Sequence, residues 1–125
     1  MKTIIHTENA PKAVGPYSQA VECNGMVFLS GQVPINPATG SLVEGDITEQ
    51  TTQVLKNIEA ILAEAGLTFS NIVKTTCFLT DLTNFQAFNA VYATCFTEKQ
   101  PARSTIEVSK LPLGAMVEIE CIAIK

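Results

Sequence analysis

The chain is poor in the residues that metal sites and nucleophilic active sites usually require. Its 125 residues include one histidine, His6, and no tryptophan, and no two of its four cysteines have the C-x-x-C spacing. A zinc site is therefore not expected, because such sites need three or four convergent ligands. A histidine-activated serine or cysteine is not expected either, since only His6 could act as the base. We predict a protein that uses neither a metal nor another cofactor.

Charge is scarce as well. Only 16% of the residues are charged, against roughly 25% in an average soluble domain. The chain has 8 lysines and arginines, of which Arg103 is the only arginine, and its net charge is -4. This balance disfavours nucleic acid as the main partner, because binding to phosphates normally needs an excess of positive charge. No apolar run reaches the roughly eighteen residues that span a bilayer, and no secretory leader is recognisable, so we expect no membrane association and a cytoplasmic location.

Hydrophobic residues, by contrast, are plentiful. They make up 46% of the chain, which is enough for one core, and no linker or repeat divides the sequence. We therefore predict a single domain over residues 1–125. The four cysteines lie in apolar runs and are predicted to be reduced and buried, as small core side chains.

The clearest local signal is a β-hairpin around Asn24-Gly25. This dipeptide is typical of a two-residue type I′ turn, and it lies between the apolar segments 21–23 and 26–29. Counting outward from the turn fixes the register of the two strands. We therefore expect Tyr17 and Ser30 to lie close together at the open end of the hairpin.

Two helices and three further strands follow the hairpin. Residues 31–40 are rich in turn formers and predict a loop. Capping boxes at residues 46–49 and 83–86 predict the starts of the two helices, and Gly66 predicts the end of the first. The aromatic stripe of the second helix, residues 85–96, is interpreted as core packing. Strands are predicted at residues 72–79, 102–109 and 116–124, which gives an α+β domain with helices on one face of a mixed sheet.

The second face of this sheet has no predicted cover. Two helices of about 20 and 13 residues can cover only one face, yet the last strand carries apolar residues on both sides. Together with the shortage of charge, this pattern predicts a homo-oligomer whose subunits pack sheet against sheet. A concave site at the boundary between subunits would follow from such packing.

The lone arginine allows two interpretations. Strand alternation places Arg103, Thr105 and Glu107 on one face. The strand pattern alone favours a surface ion pair of Arg103 with Glu107 or Glu118. The alternative is a binding role, because the planar guanidinium can hold a ligand carboxylate or phosphate with two parallel hydrogen bonds.

Four other polar residues also have ordinary explanations. His6 is interpreted as a solvated residue near the N-terminus, and Asn89 as an exposed residue of the second helix. Glu118 and Glu120 share a face of the last strand and could be either a solvated strand edge or part of a site.

Six blocks resemble the reactive-intermediate deaminase family, also called the imine/enamine deaminase family (RidA-like, YjgF/UK-type). The blocks occur in order and are residues 15–19 (GPYSQ), 30–34 (SGQVP), 73–78 (VKTTCF), 89–92 (NAVY), 101–104 (PARS) and 117–123 (VEIECIA). The resemblance implies a chorismate-mutase-like α+β fold with a mixed six-stranded sheet and two helices packed on one face. It also implies a homotrimer with sheet-to-sheet packing and active sites between subunits.

The resemblance further implies an activity and a site. The expected reaction is the hydrolysis of 2-iminopropanoate (2-aminoacrylate) and 2-iminobutanoate to 2-keto acids and ammonia, without a cofactor, which protects pyridoxal-phosphate enzymes from damage. Arg103 matches the residue that holds the substrate carboxylate. The other matching positions line or support the pocket, and they are Tyr17, Ser30, Gly31, Asn89, Thr105 and Glu120.

One position departs from the family pattern. Thr105 stands where a cysteine is common, so a thiol is not expected to act there, although a backbone contact would be retained. We hypothesise that Glu120 orients or deprotonates the attacking water. Two alternatives to the deaminase remain, namely a trimeric small-carboxylate-binding regulatory protein and an endoribonuclease or translation inhibitor.

Overall fold

A computed structural model describes residues 1–125 and contains one six-stranded mixed sheet and two α-helices. The elements are β1 (Thr3–Ile5), β2 (Ala20–Cys23), β3 (Met26–Gln32), β4 (Ile35–Asn36), β5 (Ser41–Leu42), α1 (Ile47–Glu64), β6 (Ile72–Leu79), α2 (Phe85–Tyr92), β7 (Ala102–Glu107) and β8 (Val117–Ile124). The strand order is β1-β2-β3-β8-β6-β7. β7 lies at one edge of the sheet, next to β6. These two strands form the only parallel pair and are connected through α2.

The predicted hairpin is confirmed. Cys23 pairs with Met26 across a turn in which Asn24 and Gly25 have φ values of 52° and 79°. The pairing continues past the strand, because the Ser30 amide donates to the Gln19 carbonyl at 2.9 Å. This extension brings the chain around Tyr17 towards the end of β3.

The first helix is also confirmed. The Asp46 side chain accepts from the Thr48 amide at 2.9 Å, and the Glu49 side chain accepts from the Asp46 amide at 3.1 Å. Gly66 follows the helix with a φ of 76°, a left-handed conformation that glycine adopts without strain.

The predicted capping box of the second helix is wrong. The cap is Asp81, whose side chain accepts from the Thr83 amide at 2.9 Å and starts a 3₁₀ turn over Leu82–Asn84. Asn84 is already inside this helical turn, so its side chain makes no capping bond. The α-helix has 8 residues rather than the expected 13 or so. The aromatic stripe nevertheless packs as predicted, since Phe88 and Tyr92 of α2 and Phe96 beyond its end are buried.

Three further expectations need correction. Residues 31–40 are not all loop, because β3 runs to Gln32 and β4 pairs with β5 in a separate ribbon. Strands β7 and β8 are shorter than predicted, ending at Glu107 and beginning at Val117. All four cysteines are free, but only Cys77 and Cys121 are buried, because Cys23 adjoins the hairpin turn and Cys95 follows α2.

The helices cover one face of the sheet, which we call the covered face. Alternate residues of β8 and β6 are buried there in one core with α1 and α2, including Val117, Ile119, Cys77 and Leu79. The other face, which we call the open face, leaves apolar side chains in solvent, with Phe28 41%, Ile106 45% and Ile124 37% exposed. Neither helix has the length and apolar character needed to cross a membrane.

Candidate active site

The candidate site residues fall on opposite faces of the sheet. Side chains of directly paired residues in neighbouring strands share a face, and successive residues of one strand alternate. Thr75 of β6 pairs with Arg103, whereas the next residue, Thr76, pairs with Glu120. Arg103 therefore lies on the covered face of the sheet, and Glu120 lies on the open face.

Arg103 belongs to a group on the covered face that we call the arginine cluster, formed by Phe85, Asn89, Tyr92 and Arg103. The guanidinium donates from Nη1 to Asn89 Oδ1 at 2.7 Å. Its Cζ lies 4.6 Å from the centre of the Tyr92 ring and 5.5 Å from that of Phe85. These distances correspond to cation–π contacts, which hold a charged group without neutralising it.

Arg103 has no carboxylate partner, so the interpretation as a surface ion pair is wrong. The two ion pairs of the chain are His6–Glu8 and Lys125–Glu22. Glu118 lies on the open face, and Glu107 accepts a hydrogen bond from the Leu82 amide instead. The guanidinium makes no hydrogen bond in the chain other than the one to Asn89, so its remaining donors are free for a ligand.

Thr105 lies on the same strand face as Arg103, but its hydroxyl does not reach solvent. Thr105 Oγ1 is buried and has no hydrogen-bond partner. Its register partner is Cys77, whose pKa burial raises to about 11, so this thiol stays protonated at neutral pH. Because β7 is an edge strand, the backbone at Thr105 has one side without a strand partner.

A second group borders a cavity of about 800 Å³ beside the open face. We call it the carboxylate cluster, and its members are Tyr17, Ser30, Gly31, Glu118 and Glu120. The Ser30 hydroxyl donates to the Ser18 carbonyl at 2.6 Å and fixes the loop that carries Tyr17. Tyr17 and Ser30 thus line one cavity, in line with the hairpin register expected from the sequence.

Gly31 allows the Glu118 carboxylate to approach the backbone of β3. A Cβ atom on Gly31 would collide with Glu118 Oε2 and would lie 2.9 Å from its Cδ. Gly31 is not in the left-handed region, so it is this close contact that requires the absence of a side chain. Burial raises the pKa of Glu118, and the neighbouring charge of Glu120 raises it further.

The sequence pattern left Glu118 open, as either a solvated strand edge or part of a site, and the structure places it at the cavity. The available signal was a glycine inside a strand, which often marks a close approach to the backbone. His6 is exposed and bonds to Glu8 at 3.0 Å, in agreement with its interpretation as a solvated residue. No three histidine, cysteine, aspartate or glutamate side chains are grouped so that they could hold a metal ion.

Comparison with known proteins assigns the family. The sequence profile of the family described as Endoribonuclease L-PSP matches residues 7–125. Reactive Intermediate Deaminase A, chloroplastic, from Arabidopsis thaliana is 50% identical over 122 residues, which cover 98% of this chain and 65% of that protein. The structure of the Rid-family protein YyfA from Yersinia pestis superposes over the full length of both chains with a TM-score of 0.98 and 57% identity. E. coli TdcF with bound serine superposes over 98% of both chains with a TM-score of 0.92 and 44% identity.

These matches extend over nearly the whole chain and agree with the six sequence blocks described above. The chain therefore belongs to the reactive-intermediate deaminase (YjgF/RidA) family.

Proposed function

We propose that the protein hydrolyses reactive 2-imino acids and their enamine tautomers to 2-keto acids and ammonia. The substrates are 2-iminopropanoate, the tautomer of 2-aminoacrylate, and 2-iminobutanoate, and their removal protects pyridoxal-phosphate enzymes from damage. The observation that carries the proposal is the free guanidinium of Arg103, which has no carboxylate partner in the chain. A small substrate carboxylate fits this position, because the planar guanidinium can bind it with two parallel hydrogen bonds.

The complete site requires more than one subunit. The sheet separates the arginine cluster from the carboxylate cluster, and the open face presents apolar side chains such as Phe28 and Ile106 to solvent. We propose a homotrimer in which open faces pack together and Arg103 of one subunit faces Glu120 of the next. The edge position of β7 supports this arrangement, because it leaves the arginine cluster close to the border of the sheet.

In the proposed mechanism, the substrate is held at both ends. Arg103, oriented by Asn89, binds the carboxylate, and backbone groups beside Gly31 and Thr105 hold the nitrogen. Tyr17 and Ser30 form the wall of the cleft and limit the space around the side chain of the substrate. Fixing the substrate in this way brings C2 into the position that the attacking water must reach.

The proton transfers are assigned to Glu120. Water adds to C2 of the protonated imine while Glu120 accepts one of its protons, and a carbinolamine forms. Glu120 then returns this proton to the nitrogen, the C–N bond breaks, and the remaining hydroxyl proton leaves with ammonia as ammonium. An imine carbon is already electrophilic, so general acid–base catalysis on a positioned substrate is sufficient for this reaction.

The test is ammonia release from an imino acid that an L-amino-acid oxidase generates in situ, corrected for spontaneous hydrolysis. We expect Arg103→Ala to lower kcat/KM by at least ~100-fold, through a lost charged contact and lost orientation. Arg103→Lys should also be poor, because an ammonium cannot replace the planar fork.

Lys125→Ala is the matched control, since it removes a cation whose partner is Glu22 on the surface. This control should keep wild-type activity. Near-wild-type ammonia release by both Arg103 variants would contradict the proposal.

A second candidate is a regulatory protein that binds small carboxylates. The serine bound to the relative TdcF favours this alternative, because serine is an amino acid and is not an imine. Tight binding of a 2-keto acid or of serine, without any acceleration of ammonia release, would identify a sensor.

A further assay measures cleavage of single-stranded RNA by the protein, because the family profile is described as an endoribonuclease. The net charge of -4 and the single arginine disfavour an RNA groove, which normally has several cations along the backbone path. We therefore expect no cleavage.

A further inference from the structure

The ring of Tyr92 packs against the guanidinium of Arg103, the group to which the proposed function assigns the substrate carboxylate. Its phenol oxygen lies 2.7 Å from the Thr75 hydroxyl, and both side chains are buried, with 5% and 1% exposure. Thr75 is the register partner of Arg103 on β6. A strand residue on the covered face, an aromatic ring and the guanidinium thus form a continuous stack.

We infer that Tyr92, anchored by Thr75, is a positioning residue for Arg103. It sets the tilt of the guanidinium plane and its distance from the ring, so that the guanidinium can bind the substrate carboxylate. This inference rests on the proposed function of Arg103 and adds to it the residues that hold the guanidinium in place. Neither residue touches the substrate in this account, so both act only through Arg103.

The hydrogen bond to Asn89 cannot do this alone. It fixes one nitrogen of the guanidinium, Nη1, and leaves rotation about that contact unrestrained. Two rings limit the tilt of the guanidinium, and Tyr92, with its centre 4.6 Å from Cζ, lies closer than Phe85 at 5.5 Å. Asn89 and Tyr92 are three residues apart on α2, so one helical face carries both restraints.

The Tyr92 ring is itself held by two contacts, a hydrogen bond and a neighbouring aromatic ring. The bond to Thr75 ties the phenol end of Tyr92 to β6, the strand next to β7, and Phe96 packs on the ring with a centroid distance of 4.5 Å. Burial raises the pKa of Tyr92, so the phenol remains neutral and keeps this hydrogen bond at physiological pH. A purely structural role would need the packing against Phe96 but not the contact with Arg103.

The test compares three variants by deaminase kinetics, by the dissociation constant for pyruvate as a carboxylate probe, and by Tm. Tyr92→Leu removes the ring, and we expect KM and the pyruvate dissociation constant to rise by ~10-fold or more, with a smaller fall in kcat. Tyr92→Phe keeps the ring and removes only the bond to Thr75. We therefore expect KM and the pyruvate dissociation constant to rise by only about 2- to 4-fold. Thr75→Val should match Tyr92→Phe, because it removes the other half of the same bond.

Val54→Ala is the control for lost stability. Val54 is fully buried in α1 and belongs to neither cluster, so its truncation should lower Tm while KM and pyruvate affinity stay at wild-type values. If Tyr92→Leu does not fold, Tyr92→Phe and Thr75→Val still measure the effect of the anchoring bond.

Wild-type KM and pyruvate affinity in all folded Tyr92 and Thr75 variants would overturn the inference, even if Tm falls. The Arg103→Ala variant separates this outcome from failure of the proposed function. If Arg103→Ala is inactive while the Tyr92 variants bind normally, only the positioning role is wrong. If Arg103→Ala also binds pyruvate and turns over normally, the proposed function is wrong as well.

Discussion

The arginine cluster and the carboxylate cluster are built in opposite ways. Arg103 lies among aromatic rings on the covered face, where Tyr92 and Asn89 hold it by short contacts. Glu118 and Glu120 lie on the open face beside a large cavity, and Glu120 is exposed. The charged group on the covered face is thus held by contacts within the chain, whereas the carboxylates on the open face border a cavity.

This difference explains why the single arginine remains unpaired in an acidic chain. Arg103 and Glu120 project from neighbouring parts of one sheet but on opposite faces, so they cannot neutralise each other within a subunit. Both charges therefore remain available for a substrate if a second copy of the chain brings the two faces together. The scarcity of charge elsewhere in the chain agrees with the proposed packing of open faces.

Replacing the proposed proton acceptor should separate the roles of the two clusters most strongly. Glu120→Gln keeps the size of the side chain but cannot accept a proton, so we expect kcat to fall ~100-fold while KM changes by less than about 3-fold. Arg103→Ala should instead raise KM as well. Steady-state ammonia release measures both, with Glu22→Gln as the matched surface control. Equal KM effects in the two variants would contradict the division of roles.

Filling the space at Gly31 tests whether the close approach of Glu118 matters. The backbone of Gly31 permits alanine, but the new methyl group would displace the Glu118 carboxylate. We expect Gly31→Ala to lower kcat/KM by ~10-fold or more, because small displacements at a site are costly, with little loss of Tm. In the double variant Gly31→Ala, Glu118→Ala the collision is gone, so the two effects should be non-additive. Strict additivity would show that the contact is irrelevant.

The smallest expected effect is on stability, and it concerns the buried side of the carboxylate cluster. Burial holds the pKa of Glu118 above its ordinary value of 4.5. At pH values around and between these two pKa values, the folded chain therefore binds more protons than the unfolded chain. Stability should therefore fall as pH rises from below 4.5 through the raised pKa. Glu118→Gln removes the loss of stability that ionisation of Glu118 causes, so the Tm of the variant should exceed that of wild type by on the order of 1–2 °C at pH 7. The effect is small because the Glu118 side chain is only half-buried and solvent screens its charge.

At pH 3, well below the ordinary pKa of 4.5, the Glu118 carboxyl is protonated in both the folded and the unfolded chain, so the variant and wild type should have equal Tm. Thermal unfolding followed at both pH values provides the measurement. The same difference in Tm at both pH values would show that the charge of Glu118 is not the cause.

Much of the fold could be predicted from local patterns. Strand β6 has the predicted bounds, and the capping box at Asp46 starts α1, because these signals depend only on neighbouring residues. The start of α2 could not be predicted correctly, since two capping signals overlap and the side chain of Asp81 forms the cap.

The site was less accessible to sequence reasoning. Arg103 could be singled out by its scarcity, and alternation placed Thr105 on its face. The contact between Gly31 and Glu118 depends on a shift in register between β3 and β8 after Leu29, which local patterns do not reveal. The stacking of Arg103 on Tyr92 likewise depends on how α2 packs near the edge of the sheet.

The central claim is that the arginine cluster of one subunit acts with the carboxylate cluster of another. It is tested by unfolding and refolding Arg103→Ala and Glu120→Gln together in equal amounts and measuring ammonia release. Random assembly would give about a quarter of the sites an intact Arg103 and an intact Glu120 from different subunits, so about a quarter of wild-type activity should return. Activity that stays at the level of the single variants would contradict a shared site.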